Sequence, residues 1–339
     1  MAKMTGARAQ DYTIGNWGEY KKRFLLPEGR ICDTGNKNIS HSEGQGYGLL
    51  CAQHFNDRET FDLILKWTDQ WLSRPKDALH SWRYVPDATD HVAQKLCATD
   101  GELLMALALA RGAMRWNDSH LRDRSAAIYA DVLKQLVAQV GDKKILRPAD
   151  IGFETGDTHT INLSYYIFPA LVAGGQVCPS PLWDALIRDG AELMQLARFG
   201  MWKLPPDWLQ IDNRSLDMIP APGWPPRFSF DAIRVPLHSW WGGIWDEDAA
   251  GIYHRFWNAW PEHNIPAWID LDTGERDNGA TPGGYMAVAT CTGLEGVGTL
   301  PAGLPDITPY DDYYSASLKM LAHVAWDERH NPDLRQNVR

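Results

Sequence analysis

From Tyr47 onward the apolar residues recur at three- and four-residue intervals. Leu50, His54 and Phe55 follow Tyr47 at helical spacing, Phe61, Leu65, Trp67 and Trp71 continue the theme, and Leu103, Ala106, Leu107, Ala110 and Met114 form one stripe. The same periodicity predicts helices near 119–140, 162–174, 181–201, 247–260, 283–292 and 311–326, with another after Phe230, or roughly ten to twelve in all. Strand signals are few and short. WIDLDTGER (268–276) alternates apolar residues into a DTG turn and reads as half of a small hairpin. Its Asp270, Asp272 and Gly274 are spaced as at the start of a calcium loop, but the later acidic positions and the closing Glu are missing, so a turn is expected and not a metal site. The stretch 202–229 holds six prolines and three tryptophans, and a loop that long is more often functional than idle, so we expect it over the active face. Many helices, little sheet, no linker and no short repeat predict an all-α toroid or bundle forming a single domain over 1–339.

Composition narrows the function. With 44% hydrophobic and 22% charged residues the chain is an ordinary globular one, and no apolar run approaches the roughly 18 residues of a membrane span. A net charge of -10 without a Lys/Arg stripe argues against a nucleic-acid partner, since phosphates have to be neutralised. Sixteen Trp and twelve Tyr suit a groove for a ligand with an apolar face and a polar rim, such as a pyranose, although the same rings serve equally well in a core. Cys32, Cys51, Cys97, Cys178 and Cys291 show neither zinc-site spacing nor a disulfide framework. The opening MAKMTGARAQDY has no apolar h-region, which fits either a cytosolic protein or one whose signal segment has been removed.

Three acidic stretches carry candidate chemistry. In ISHSEGQGYG, Ser40 and Glu43 fit a capping box, and so do Ser42 and Gln45; the second register leaves Glu43 in the first helical turn with its side chain unclaimed, and spacing alone does not choose between them. In ATDGELLMALALARG (98–112), Thr99 and Glu102 form another box, placing Asp100 beside the positive end of the helix dipole, where it should stay ionised. In RFSFDAIRVPLHSWWGG (227–243), Asp231 and Arg234 lie one turn apart, and pairing with Arg keeps a carboxylate basic. Pro236 argues for a single turn or a kinked helix there. Taken singly, these are a cap, a helix-start aspartate and a surface ion pair.

Together, SEGQGYG, ATDGEL and SFDAIR have the order and separations that resemble family 8 glycoside hydrolases; NLSYY (162–166) is similar to that family's N-P-S-Y segment, and DYYSASLKML lies in a similar place near the C-terminus. Among them the chain most resembles the bacterial endo-β-1,4-glucanases associated with cellulose synthesis. The resemblance implies an (α/α)6 barrel, six inner helices ringed by six outer ones, with a groove across the inner N-termini. It implies inverting hydrolysis of a β-1,4-glucan, with Glu43 as proton donor, Asp231 as base and Asp100 holding the distorted sugar. Tyr165 and Arg234 would order the attacking water and the base, and Trp82 in HSWRY would be a sugar-stacking platform. Tyr47 and Tyr313 are taken with Trp82 as substrate-binding residues. No cofactor and no metal are expected. The partner is a β-1,4-glucan polysaccharide or oligosaccharide, with the cellulose-synthesis machinery as a candidate protein partner. A periplasmic or secreted location follows, with the signal segment absent from this chain. The sequence departs from the family at Gly46 (usually Ser) and Leu163 (usually Pro), which bears on groove shape rather than on reaction type, and at Glu102 (often Asp), which keeps the charge and suits a cap rather than a catalytic role.

Acetal cleavage by inversion needs a carboxylic acid to protonate the departing oxygen and a carboxylate to activate water, about 6.5 to 9.5 Å apart. A helix N-terminus works against holding a proton on Glu43. We therefore expect a nearby ionised Asp100 to keep it there by like-charge repulsion, with partial burial helping. Gly44 and Gly46 are expected to let a sugar approach the backbone. Two alternatives stay open: a glucan-binding toroid that does not cut, and the same chemistry on xylan, chitosan or mixed-linkage glucan. HExxH, GxSxG and P-loop motifs are lacking, and His41 and His238 read as hydrogen-bond partners.

Overall fold

The computed structural model describes residues 6–294 and 304–331, with side chains from residue 15 onward. Residues 1–5 of the stretch read for a leader segment lie outside the described residues. Eleven α-helices appear among the described residues: α1 (Gly6–Phe24), α2 (Ser42–His54), α3 (Arg58–Leu72), α4 (Thr99–Trp116), α5 (Ser119–Gln135), α6 (Phe168–Val177), α7 (Pro181–Leu196), α8 (Arg234–Gly242), α9 (Glu247–Trp257), α10 (Gly283–Cys291) and α11 (Tyr313–His330). Helices α2, α4, α6, α8, α10 and α11 pack each on the next, and α11 returns to α2, closing a ring of six. Around it α1 lies on α11, α3 on α2, α5 on α4 and α6, and α7 on α6. The architecture is the (α/α)6 barrel.

Inner and outer helices differ in how their sequences are buried. Outer α3 buries one face, Phe61, Ile64, Leu65, Trp67, Thr68 and Leu72, and leaves the other to water. Inner α4 is buried on every side from Thr99 to Ala113. The single stripe expected there is thus corrected: an inner helix has neighbours all round, and Met114, assigned to the stripe, is 45% exposed at the far end. Small residues let such helices approach. A Cβ on Gly46 would stand 2.7 Å from the Leu104 Cβ, and one on Gly101 would stand 2.3 Å from Ser42 Oγ and 2.7 Å from the Glu43 nitrogen. Gly44 and Gly46 are buried, so they serve helix packing and not the expected approach of a sugar.

Short strands decorate the loops. β1 (Ser40–His41) pairs with β2 (Arg83–Tyr84), and β3 (Val137–Val140) with β4 (Lys143–Leu146), all antiparallel. The helix expected over 119–140 therefore stops at Gln135, and its last residues become a hairpin strand. A four-stranded antiparallel sheet runs in the order β5 (Glu154–Thr155), β6 (Thr158–Ile161), β7 (Leu209–Asp212) and β8 (Met218–Pro220). The proline-rich stretch 202–229 is thus no structureless loop, since it supplies two strands of this sheet and β9 (Arg227–Phe228), which pairs with β10 (Ile269–Asp270). In the DTG turn, Asp270 Oδ1 accepts from the Asp272 and Thr273 amides, while Ile269 bridges Arg276 as the hairpin expectation required. The expected 162–174 helix is split into a 3-10 turn, Leu163–Tyr165, and α6, because the Asn162 side chain caps the first and Pro169 starts the second.

The α2–α4 contact leads to a prediction. Gly101→Ala should lower stability by about 1–3 kcal/mol and also lower kcat, because the added methyl must push back the first turn of α2, which carries Glu43. Thermal unfolding and turnover measured together check this, and wild-type values for both would show that the two helices part without consequence.

Candidate active site

The chemistry-bearing side chains gather where the inner helices begin. Glu43 is the second residue of α2, Asp100 the second of α4, Arg234 the first of α8, Tyr285 the third of α10 and Tyr314 the second of α11, while Tyr165 sits in the turn before α6. Asp231 lies in the turn that leads into α8. The N-cap residues of α4, α6, α8 and α10 make no side-chain cap bond, and at α4 the Asp100 carboxylate takes that place, its Oδ1 accepting from the Gly101 amide at 2.8 Å.

None of the three capping boxes forms as the spacing suggested. His41 caps α2, its Nδ1 accepting from the Gly44 amide at 3.2 Å; that leaves the ring proton on Nε2, which faces Asp33 Oδ2 at 3.4 Å. Gln45 is tied instead to Ile31, Gly29 and Thr68. Glu43 is therefore unclaimed by the cap. At α4, Thr99 Oγ1 donates to the Arg147 carbonyl, and Glu102 accepts from the amide and ring Nδ1 of His80 at 2.6 and 3.0 Å. The buried Glu102 thereby anchors the segment that carries Trp82.

Arg234 binds all three acids. Its Nη1 donates to Glu43 Oε1 and, at 3.3 Å, to Asp100 Oδ2; its Nη2 donates to Asp231 Oδ1 at 2.5 Å. Tyr47 adds a hydroxyl donated to Glu43 Oε1 at 3.1 Å, and the guanidinium lies 5.8 Å from the centre of the Tyr165 ring. Side-chain exposure rises from 4% at Arg234 and 5% at Asp100 to 17% at Glu43 and 27% at Asp231. Three carboxyl groups thus share one cation in a part-buried cluster. Burial pushes Asp100 up to about 6, outweighing the helix end that was expected to hold it low. Burial, and then the neighbouring Asp207 carboxylate, push Asp231 well above the usual carboxylate range, opposing the effect expected from Arg234. Asp100 and Glu43 meet through the Arg234 cation, so the direct repulsion expected between them is bridged by a positive charge.

The surroundings of the acids differ from expectation at two tyrosines. Tyr47 and Tyr313 are each 2% exposed and offer no surface to a sugar. Tyr47 supports Glu43, and Tyr313 packs edge-on against His41. The half-exposed neighbour Tyr314 faces the site instead, its hydroxyl donating to the Phe230 carbonyl. Phe230, 51% exposed and packed against Tyr285 and Tyr314, was missed from the sequence, as was Asp207. Trp82 is half-buried, its carbonyl accepting from the Ser42 amide at the start of α2, with Arg83 over its ring. From the 202–229 stretch, Trp208 meets the Tyr165 ring edge-on and stacks with Phe153 and Trp224, at centroid distances of 5.3 and 5.2 Å. His238 Nδ1 bonds the Ser164 carbonyl at 2.8 Å, and burial pushes its ring down to about 3, so it stays neutral.

The chain is similar to known proteins over nearly its whole length. The profile of Glycosyl hydrolases family 8 matches residues 2–328. A probable endoglucanase of Novacetimonas hansenii is 41% identical over 317 residues, which is 94% of this chain and 92% of that protein. A solved endo-beta-1,4-glucanase from Acetobacter xylinum superposes with a TM-score of 0.91 at 40% identity, covering 95% of this chain and 99% of that one. The family 8 endoglucanase structure from Klebsiella pneumoniae gives 0.87 at 38% identity, covering 93% and 99%. With these likenesses laid over a six-helix ring and its cluster of acids, the chain belongs to family 8 of the glycosyl hydrolases.

Proposed function

We propose that this chain is an inverting endo-β-1,4-glucanase, acting as one catalytic unit on cellulose-like chains laid across the inner-helix N-termini. The observation that carries this reading is the convergence of Glu43, Asp100 and Asp231 on Arg234 beside half-exposed aromatic rings. Glu43 is the acid and Asp231 the base. Water adds its oxygen to the anomeric carbon as its proton passes to Asp231; the glycosidic bond breaks with its electron pair going to the departing oxygen, which takes the proton of Glu43. Arg234 reaches Asp100 and Asp231 as well as Glu43, so it can release Glu43 to carry that proton and still hold both other acids. Asp100 faces the sugar at the cleavage point, and its charge balances the positive charge that develops there. Tyr165 stands over the same guanidinium, and burial and the charges of Asp100 and Asp231 hold its phenol well above its ordinary value, so it serves as a neutral hydrogen-bonding group. Trp82, Phe230 and the Trp208 cluster are the sugar-stacking surfaces.

The substrate sets the place of action. Extended glucan lies outside the cytoplasm, so we assign a periplasmic or secreted site; no helix among the described residues is long and apolar enough to cross a membrane. Relatives from Acetobacter and Novacetimonas support work alongside cellulose synthesis as its purpose.

Two measurements test the assignment. Glu43→Gln should cut reducing-sugar release from carboxymethylcellulose by about 10²- to 10⁴-fold while oligosaccharide binding survives, and fresh product followed by proton NMR should show the α-anomer first. A β-anomer at early times would reassign Asp231, and a panel with xylan, chitosan and lichenan fixes the glucan class. Asp100 carries a stability prediction as well. Its folded value of about 6 lies above the 3.8 of the free group, so the fold loses stability as pH rises through that window. Asp100→Asn should therefore melt higher than wild type at pH 7, with the gap closing as pH falls toward 4, while kcat drops. A variant that is less stable at pH 7 would show that the Arg234 contact outweighs burial.

A further inference from the structure

Asp207 is a charged group beside the proposed base, its Oδ1 bonded to the Asp231 amide, and no step of the hydrolysis uses it. It follows Pro205 and Pro206 and precedes β7. Its Oδ1 accepts from three backbone amides, those of Ser229 at 3.0 Å, Asp231 at 3.1 Å and Ala232 at 2.8 Å. Its Oδ2 accepts from the Ser229 hydroxyl, and its own amide donates to the Arg227 carbonyl at 2.7 Å. One residue thus clasps the segment 227–232 through five hydrogen bonds. That segment runs straight into α8, which has no side-chain cap of its own. The Ile233 amide donates to the Ser229 carbonyl and the Arg234 amide to the Asp231 carbonyl, so the clasp extends to the backbone of both Asp231 and Arg234.

We propose that Asp207 is a positioning residue for the reaction, capping from a distant loop the turn that presents Asp231 to Arg234 and to the attacking water. The proposal rests on Asp231 being the base. Three orphan amides of a tight turn need an acceptor, and a carboxylate satisfies them more strongly than a neutral oxygen. Its charge has a second effect. Asp231 is faced by Arg234 from α8, Asp100 from α4, Tyr165 and Asn162 from the turn before α6, Tyr285 from α10 and Tyr314 from α11, and Arg234 is the one cation among these. Burial pushes Asp207 upward while the hydrogen bonds it accepts favour its charged form, and in that form it adds negative charge to the set and raises the proton affinity of Asp231, which suits a group that must take a proton from water. A purely structural clasp would affect folding and leave the pH dependence of the reaction alone.

The test compares Asp207→Asn, Ser229→Ala and Asp231→Asn by thermal melting and by kcat, KM and the pH profile of kcat/KM on cello-oligosaccharides. The asparagine keeps an oxygen for the amides and removes the charge. Asp207→Asn is expected to melt close to wild type, to lose about 10- to 100-fold in kcat with KM within about two-fold, and to show its acid limb at lower pH. A folded Asp207→Asn enzyme with wild-type kcat and an unmoved acid limb overturns the proposal, as does a loss confined to KM. Should that variant fail to fold, Ser229→Ala decides: a several-fold fall in kcat at constant KM supports the clasp, and wild-type kcat overturns it. An inactive Asp231→Asn beside an unaltered Asp207→Asn rejects this inference alone, whereas turnover retained by Asp231→Asn rejects the base assignment and this inference with it.

Discussion

A single guanidinium, that of Arg234, touches Glu43, Asp100 and Asp231, which arrive from three parts of the chain far apart in sequence. Removing carboxylates from water costs several kcal/mol each unless charge or hydrogen bonds replace the solvent. Here one positive charge serves three acids, and the remaining compensation comes from the helix ends around them and from neutral donors such as Tyr47. This need explains why the site lies at the N-terminal rim of the inner ring. At the opposite rim the helix carbonyls would repel the same acids. There the ring places a different pair: Arg111 from α4 bonds Glu328 of α11 through both Nη atoms, and Trp241 of α8 donates to the same carboxylate.

The barrel gives that cluster its rigidity. Helices α2 and α4 can bring Glu43 and Asp100 to one arginine because glycines at 46 and 101 let the two backbones close up. The outer helices shield the ring with one-sided apolar faces, and four helices outside the ring start on ordinary caps, Asp57 on α3, Asp118 on α5, Ser180 on α7 and Asp246 on α9. The contrast is physical. Those four helices bond a first amide with their own cap, whereas α8 has no side-chain cap, and its Arg234 and Val235 amides bond the Asp231 and Ala232 carbonyls of the turn that Asp207 holds from another loop.

Much of this was legible in the chain and some was not, for identifiable reasons. Helical periodicity located the helices from α2 onward, but it missed α1 and misjudged α4, because a helix buried on all sides has no stripe to display. All three capping boxes had the right spacing and failed, since Ser40 donates to the Ile31 carbonyl, Ser42 and Thr99 turn into the interior and Glu102 is occupied by His80. The sheet from β5 to β8 was missed because strands of two to four residues are too short to show alternation, and prolines dominate the stretch that supplies half of it. Tyr313 is buried and Tyr314 faces the site because two adjacent aromatics at a helix start differ only in rotation, which Asp312 capping and the packing of α11 decide. The convergence of the acids had no signature in periodicity or charge; it was reached through four ordered motifs. Asp207 had none either, because a side chain serving backbone amides in a distant segment leaves no spacing to read.

The imbalance at Arg234 bears on how such a site accelerates a reaction. Asp100 and Asp231 are both pushed upward by burial, so in their charged forms they hold more negative charge than their surroundings favour. Glycosidic cleavage builds positive charge on the sugar, and that charge appears only as the bond breaks. A cluster that is under-compensated in the resting state is therefore relieved most at the transition state, and binding of that kind raises kcat instead of merely tightening the ground-state complex. A second arginine would make the cluster more comfortable and remove this preference. On this view, leaving three acids to one cation costs the barrel stability and is part of how the proposed hydrolase discriminates between its bound substrate and the breaking bond.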